Sequence, residues 1–81
     1  MTILEAVTEN INAMEKAGHF ITVSDLVASE IQEFGHLAVL NVQSRKGKRG
    51  RVYSIFTTAE GPIGFWPLAA TGPRIGRYIK Q

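Results

Sequence analysis

The chain has 81 residues, of which 44% are hydrophobic and 20% are charged, and its formal net charge is +2; this composition is typical of one small globular domain and not of a disordered segment. It contains no cysteine, so disulfides and thiolate metal sites are excluded. No apolar run approaches the roughly 20 residues of a membrane span, and the N-terminus lacks the basic region of a signal peptide, so we expect a cytoplasmic protein without a membrane partner.

A first helix is indicated near the N-terminus. Thr2 and Glu5 have the spacing of a capping box, in which both side chains bond free backbone N–H groups of the first turn. Apolar residues then recur at helical spacing; they are Ile3, Leu4, Val7, Ile11 and Met14. Gly18 offers a left-handed stop, and the pattern predicts a helix over residues 3–17.

A second helix is indicated by the same combination of a capping box and a stop glycine. Thr22 and Asp25 repeat the capping spacing, and Gly35 is the next stop signal. The apolar stripe between them consists of Val23, Leu26, Val27, Ile31 and Phe34. The pattern predicts a helix over residues 23–34.

The middle of the chain is richer in β-forming residues. Residues 37–42 form a short apolar run that fits either a buried strand or a third helix. Residues 51–58 favour a strand, because valine, tyrosine, isoleucine, phenylalanine and threonine have high β propensity. Glycine and proline predict a turn at 60–64, and residues 65–68 fit a short edge strand, where proline is tolerated.

The C-terminal residues 71–81 contain two glycines and a proline, and we expect an extended basic tail there. The predicted organisation is one globular domain over 1–70 followed by this tail at 71–81. The predicted fold class is α+β: two or three N-terminal helices, then a basic-tipped β-hairpin and a short third strand.

Charge is divided unevenly along the chain. Residues 1–43 hold six acidic residues and one basic residue, net −5, whereas residues 44–81 hold eight basic residues and one acidic residue, net +7. Such asymmetry indicates a basic face aimed at nucleic acid, acidic lipid or an acidic protein. The alternative is that the acidic half packs beside the basic half and the two fields cancel.

Five cations crowd the linker between the two β-prone runs; they are Arg45, Lys46, Lys48, Arg49 and Arg51. Two such runs joined by a glycine-containing linker predict a hairpin, with its tip over residues 45–50. A solvated turn does not need this cluster, whose members repel one another unless an anion lies nearby. Gly47 and Gly50 would let the backbone approach a phosphate closely. The segment therefore predicts contact with a polyanion.

The two helix stripes at 3–17 and 23–34, followed by Gln43-Ser-Arg-Lys-Gly-Lys-Arg-Gly-Arg-Val-Tyr53, resemble a winged helix-turn-helix domain. The resemblance operates at the superfamily level and covers about residues 2–58. It implies DNA binding, with a recognition helix in the major groove and the hairpin as a wing on phosphate or the minor groove.

Two arrangements are compatible with this resemblance. A recognition helix could span residues 30–43, although Gly35 interrupts this stretch and two glutamates in it would face phosphates. If residues 37–44 form a strand instead, the protein is an α+β domain with two helices and three strands. The hairpin is then the whole binding device.

Further contacts are predicted around the hairpin. Gln43 and Ser44 are the nearest polar side chains able to read base edges. The tail contributes three more cations for an extended arm along a groove, or for solubility; they are Arg74, Arg77 and Lys80. Tyr53 and Trp66 are candidates for stacking on unpaired bases or for contact with a protein, and the alternative is that they fill the core. Neither face of the predicted strand is clearly polar, which indicates a partner such as a second copy of the chain.

Catalysis finds no support in the sequence. There is no cysteine nucleophile and no P-loop, and two histidines without a carboxylate at ligand spacing do not make a metal site. We expect a non-enzymatic protein without metal or cofactor. The predicted function is a small DNA-binding transcriptional regulator or accessory factor that prefers duplex DNA to RNA. The alternatives are an interaction module or small inhibitor that docks on an acidic partner, and an RNA-binding protein.

Overall fold

The computed structural model of the chain describes residues 1–19, 28–69 and 72–79. Helix α1 (Ile3–Lys16) begins at the predicted capping box. The Glu5 N–H donates to Thr2 Oγ1 at 3.3 Å, and the Thr2 N–H donates to Glu5 Oε1 at 3.0 Å. Because these bonds satisfy donors that no helical carbonyl can reach, the helix starts where the sequence predicts. The first predicted helix is confirmed to within a residue.

Helix α2 (Ala28–Phe34) confirms the second predicted helix over residues 28–34; the predicted capping box at Thr22 and Asp25 lies outside the described residues. The helix ends at Gly35, whose N–H donates to the Ile31 carbonyl at 2.7 Å. A Cβ at Gly35 would lie 2.5 Å from that carbonyl oxygen, so a larger residue would not fit without a shift of the backbone.

Four strands follow and form one antiparallel sheet in the order β1-β2-β3-β4. The strands are β1 (Asn41–Lys46), β2 (Val52–Thr58), β3 (Gly61–Trp66) and β4 (Arg74–Arg77). Of the ambiguous residues 37–42, only 41 and 42 lie in a strand, and that strand, β1, is exposed and not buried as expected. No α-helix follows α2 in the described parts of the chain, so a third helix over 30–43 is wrong. The fold is α+β, with an N-terminal helix followed by a four-stranded antiparallel sheet.

Two predictions for the C-terminal half are corrected by strand pairing. The stretch 60–64, expected to be a turn, belongs largely to β3. Of the short strand expected at 65–68, only residues 65 and 66 are in a strand, and they are the end of β3. Pro62 is accommodated near the start of β3, where its carbonyl accepts the Tyr78 N–H at 3.0 Å. Residues 74–77, expected within an extended tail, pair with β3 as the edge strand β4.

The core lies between α1 and one face of the sheet, called the inner face here. Cross-strand partners Ser54, Phe65 and Ile75 share this face, as do Phe56 and Ile63. The buried cluster joins them to the apolar stripe of α1 and to Phe34; its α1 members are Ile3, Ala6, Val7, Ile11 and Met14. Full burial of each large side chain contributes about 1.5–3 kcal/mol. The opposite, outer face of the sheet carries the other half of the strand residues.

Candidate nucleic-acid interface

The basic hairpin is formed by β1 and β2, and its tip is shorter than the sequence predicted. Arg45 and Lys46 lie within β1, opposite Tyr53 and Val52, so the tip contains only residues 47–51. The Gly47 N–H donates to the Arg51 carbonyl at 2.7 Å and closes the loop. The position of Arg45 and Lys46 in a paired strand holds two of the five cations on a fixed scaffold.

The tip makes its turn through two successive residues with positive φ. Arg49 has φ 61° and Gly50 has φ 72°. Glycine adopts this region freely, whereas a residue with a Cβ is held there at a cost of about 1–2 kcal/mol. The Arg51 N–H donates to the Lys48 carbonyl at 3.3 Å, which stabilises the turn. An arginine therefore occupies the apex in a conformation that glycine or asparagine would adopt more easily.

The cations of the hairpin are exposed and have no acidic partner in the described parts of the chain. Every residue from Asn41 to Val52 is exposed. Arg45 Nη2 donates to Gln43 Oε1 at 3.1 Å, which places these two predicted contact residues on the outer face. Ser44 lies opposite Ser54 and points to the inner side, so the hairpin does not bring Gln43 and Ser44 together.

Three aromatic side chains meet on the outer face and are called the aromatic cluster here: Tyr53, Trp66 and Tyr78. The ring centroids of Tyr53 and Trp66 are 6.2 Å apart with 21° between their planes, and those of Tyr53 and Tyr78 are 6.4 Å apart with 26°. Offset, near-parallel rings at such distances attract one another. Desolvation raises the pKa of Tyr53, the neighbouring Tyr78 raises it further, and Arg45 acts in the opposite direction, so the phenol is neutral at physiological pH.

Trp66 lies flat on the sheet because residue 64 is glycine. A Cβ at Gly64 would come within 2.4 Å of the indole ring. Gly76 is the cross-strand partner of Gly64, but a Cβ there would meet nothing within 4 Å. This role of Gly64 was not predicted, although a glycine two residues before a tryptophan in one strand places both on the same face.

A groove of about 460 Å³ separates the hairpin tip from the end of β3. Its wall carries Tyr53, Trp66 and Leu68, and its rim carries three tip cations, Lys48, Arg49 and Arg51. Among the residues that the structure describes, no acidic side chain lines it. The groove, called the basic-aromatic groove here, therefore combines flat apolar rings with positive charge.

The remaining predicted contact residues are separated from one another. Arg74 lies opposite Trp66 and thus on the outer face. Arg77 lies on the inner face, where its guanidinium stacks 5.7 Å from the Phe34 ring centroid and donates to the Glu60 carbonyl at 3.1 Å. Lys80 lies outside the described residues. Of the three tail cations, Arg74 is the one placed on the side of the aromatic cluster.

Comparison of the chain with protein families, curated proteins and solved structures found no match. Among the described residues, no helix is long and apolar enough to cross a bilayer. The same residues contain no group of three histidine or carboxylate side chains that could hold a metal ion. The fold and the groove are therefore the basis for a functional proposal.

Proposed function

We propose that the protein binds DNA, as a small cytoplasmic regulator or accessory factor, and that the β1–β2 hairpin is its main contact. The observation that carries this proposal is the set of five exposed cations on the hairpin, none of which pairs with an acid in the described structure. Their mutual repulsion is unfavourable in the free protein and is relieved by an anionic polymer.

The hairpin would bind by neutralising phosphates. Lysine and arginine at the tip would displace counterions condensed on the DNA, so the affinity should fall steeply with salt. If four phosphates are engaged, the slope of log affinity against log salt is about −3.6. The arginines could in addition enter a narrow minor groove.

The finer proposal of a winged-helix arrangement depends on the hairpin acting as a wing. Its support is the order of elements, in which helices precede a basic hairpin. In the part of the chain that is described, no third helix is available for the major groove, so our proposal assigns DNA contact to the hairpin without a recognition helix.

A protein partner is the alternative function, and one feature favours it. Strand β1 is paired with β2 on one side, and its residue Val42 and the preceding Leu40 are 46% and 68% exposed. An edge strand with exposed apolar side chains can add a strand from another chain, including a second copy.

The proposal is tested by titrating labelled duplex DNA with the protein at several salt concentrations. We expect salt-dependent binding, and the double variant Arg49→Ala/Arg51→Ala should lower the slope magnitude by about 2, one for each lost phosphate contact. A matched pair of single variants sharpens the test: Arg49→Ala should weaken binding, whereas Lys16→Ala, which removes an exposed cation at the end of α1, should not.

Two results would contradict the proposal. One is negligible binding of the native protein to duplex DNA near 150 mM salt together with stable capture of an acidic protein. The other is an affinity that stays the same in the double variant, because the hairpin would then not be the contact.

A further inference from the structure

The basic-aromatic groove has a chemistry that phosphate contact alone does not need. Phosphates require only the cations of the hairpin, yet the indole of Trp66 and the phenol of Tyr53 line the same groove as Lys48, Arg49 and Arg51. One side of the indole rests on Gly64. The groove volume of about 460 Å³ is within the range of pockets that hold small organic ligands.

We propose that this groove holds an unpaired nucleotide of single-stranded DNA, with the base stacked on Trp66 and the adjoining phosphates on the hairpin tip. This inference rests on the proposed function and adds a second component to it. A base in a duplex has both faces covered by its neighbours, so only an unpaired or extruded base can stack on the ring. The groove therefore selects single strands, while the hairpin alone accepts any DNA phosphate.

The aromatic cluster has a packing role as well, because it covers Ile55, which is 5% exposed and lies on the outer face beside Tyr53 and Gly64. Aliphatic side chains would serve that role equally well. They would not require the glycine that lets the indole lie flat, and they would gain nothing from a rim of cations. Flat rings beside positive charge are the combination by which proteins hold single strands without sequence preference.

A comparison of two DNA probes with the same number of phosphates separates the contribution of stacking from that of charge. The probes are a 12-mer of thymidine and an abasic strand of equal length. We expect the native protein to bind the thymidine strand about 5- to 100-fold more tightly, because stacking adds to phosphate contact. Trp66 is the only tryptophan of the chain, so its fluorescence should be quenched by the thymidine strand and not by the abasic strand.

Variants test whether the preference for the thymidine strand depends on the Trp66 indole. Trp66→Leu should reduce thymidine binding to the level of the abasic strand and leave abasic binding unchanged. Leu68→Ala, which removes an apolar side chain of the same groove without a π-face, should keep the preference. Should Trp66→Leu fail to fold, Trp66→Phe retains a ring and should show an intermediate preference, and the quenching of the native protein remains an independent measure.

The outcomes distinguish this inference from the proposed function. Equal, salt-dependent binding of both strands, or a preference that persists in Trp66→Leu, overturns stacking in the groove and leaves phosphate binding intact. Absence of binding to both strands and to duplex DNA overturns the two proposals together. A uridine 12-mer that binds more tightly than the thymidine strand, with the same dependence on Trp66, would make RNA the occupant and overturn the assignment to DNA.

Discussion

Gly64 is the residue on which the outer face depends most directly. Its missing side chain leaves the space that the Trp66 indole occupies, since a Cβ would lie 2.4 Å from the ring. Its cross-strand partner Gly76 has nothing within 4 Å of the same position. The two glycines therefore form a matched pair that differs in one contact.

We predict that Gly64→Ala destabilises the protein by about 1–3 kcal/mol, the usual cost of inserting a methyl group where the packing has no room, and shifts Trp66 fluorescence towards the red. Gly76→Ala should leave both properties nearly unchanged. Chemical denaturation followed by tryptophan emission measures the two effects at once. If both substitutions behave alike, the indole does not rest on Gly64.

The residues of the candidate site differ in how far the sequence reveals them. The five hairpin cations are visible as a run of like charge, so the sequence alone could single them out. Tyr53 and Trp66 could be named as aromatic candidates, but their meeting with Tyr78 depends on the register of three strands. Register depends on the position of the turns, and the sequence predicts the turn before β3 at 60–64, whereas β3 already begins at Gly61.

The start of helix α1 is stabilised by a charge that titrates. The pKa of Glu5 is lowered, first by the Thr2 N–H and then by the Thr2 hydroxyl, both of which are bonded to its carboxylate. Because the folded state favours the charged form, this contribution is present above the unfolded-state pKa and is lost as the pH falls through the folded-state pKa.

We predict that Glu5→Gln lowers the melting temperature at neutral pH, and that the difference from the native protein vanishes once the pH falls below the range in which Glu5 titrates. Thr2→Ala should cost about 1 kcal/mol, a typical value for loss of an N-cap. Glu9→Gln, one turn further along α1, is the control because the Glu9 carboxylate makes no hydrogen bond in the described structure. Thermal unfolding across pH measures all three. A difference for Glu5→Gln that persists in acid would contradict the role of its charge.

Strand β4 lies where the sequence predicts an extended tail. Substitutions at two isoleucines test whether β4 is part of the folded domain. Ile75 lies in β4 and is 3% exposed within the core, whereas Ile79 is 80% exposed. We predict that Ile75→Ala costs about 2–4 kcal/mol through lost burial and the cavity it leaves. Ile79→Ala should stay within about 0.5 kcal/mol of the native stability. Equal losses in urea unfolding would mean that β4 is not part of the folded domain.

The elements that the sequence predicts well are those with strong local signals. Helix α1 has a capping box and an apolar stripe, and β2 has a run of β-forming residues, so both are predicted nearly to their ends. Strands β3 and β4 contain glycines and a proline, which by themselves indicate turns. They become strands because pairing places Ile63, Phe65 and Ile75 in the core, and this tertiary gain exceeds the weak local preference.

On the molecule as a whole, acidic side chains are concentrated on α1 and basic side chains on the β1–β2 hairpin. The carboxylates of Glu5, Glu9 and Glu15 are exposed along α1, and none of them pairs with a hairpin cation in the described structure. Because these carboxylates leave the hairpin cations unpaired, we expect a polyanion to approach from the side of the hairpin.

This distribution of charge predicts that DNA binding perturbs residues on the hairpin side of the molecule and not those on α1. When a DNA 12-mer is titrated into the labelled protein, backbone amide shifts should change at residues 47–51 and around Trp66. They should remain unchanged at Glu9 and Glu15, since carboxylates repel phosphate. Two-dimensional NMR at two salt concentrations measures this directly. Changes centred on α1 would contradict the prediction, because α1 lies on the inner face and the predicted contact is on the outer face.

The strand order described above also governs how fast the chain can reach its native state. Each strand pairs with its sequence neighbour, so most of the sheet forms through short-range loops, which close quickly. The docking of α1 onto the sheet is the long-range step; the bond from Asn10 to Ser54 joins residues 44 positions apart. The β-meander is thus expected to assemble before α1 settles onto it, and weakening the helix should hasten unfolding more than it delays folding.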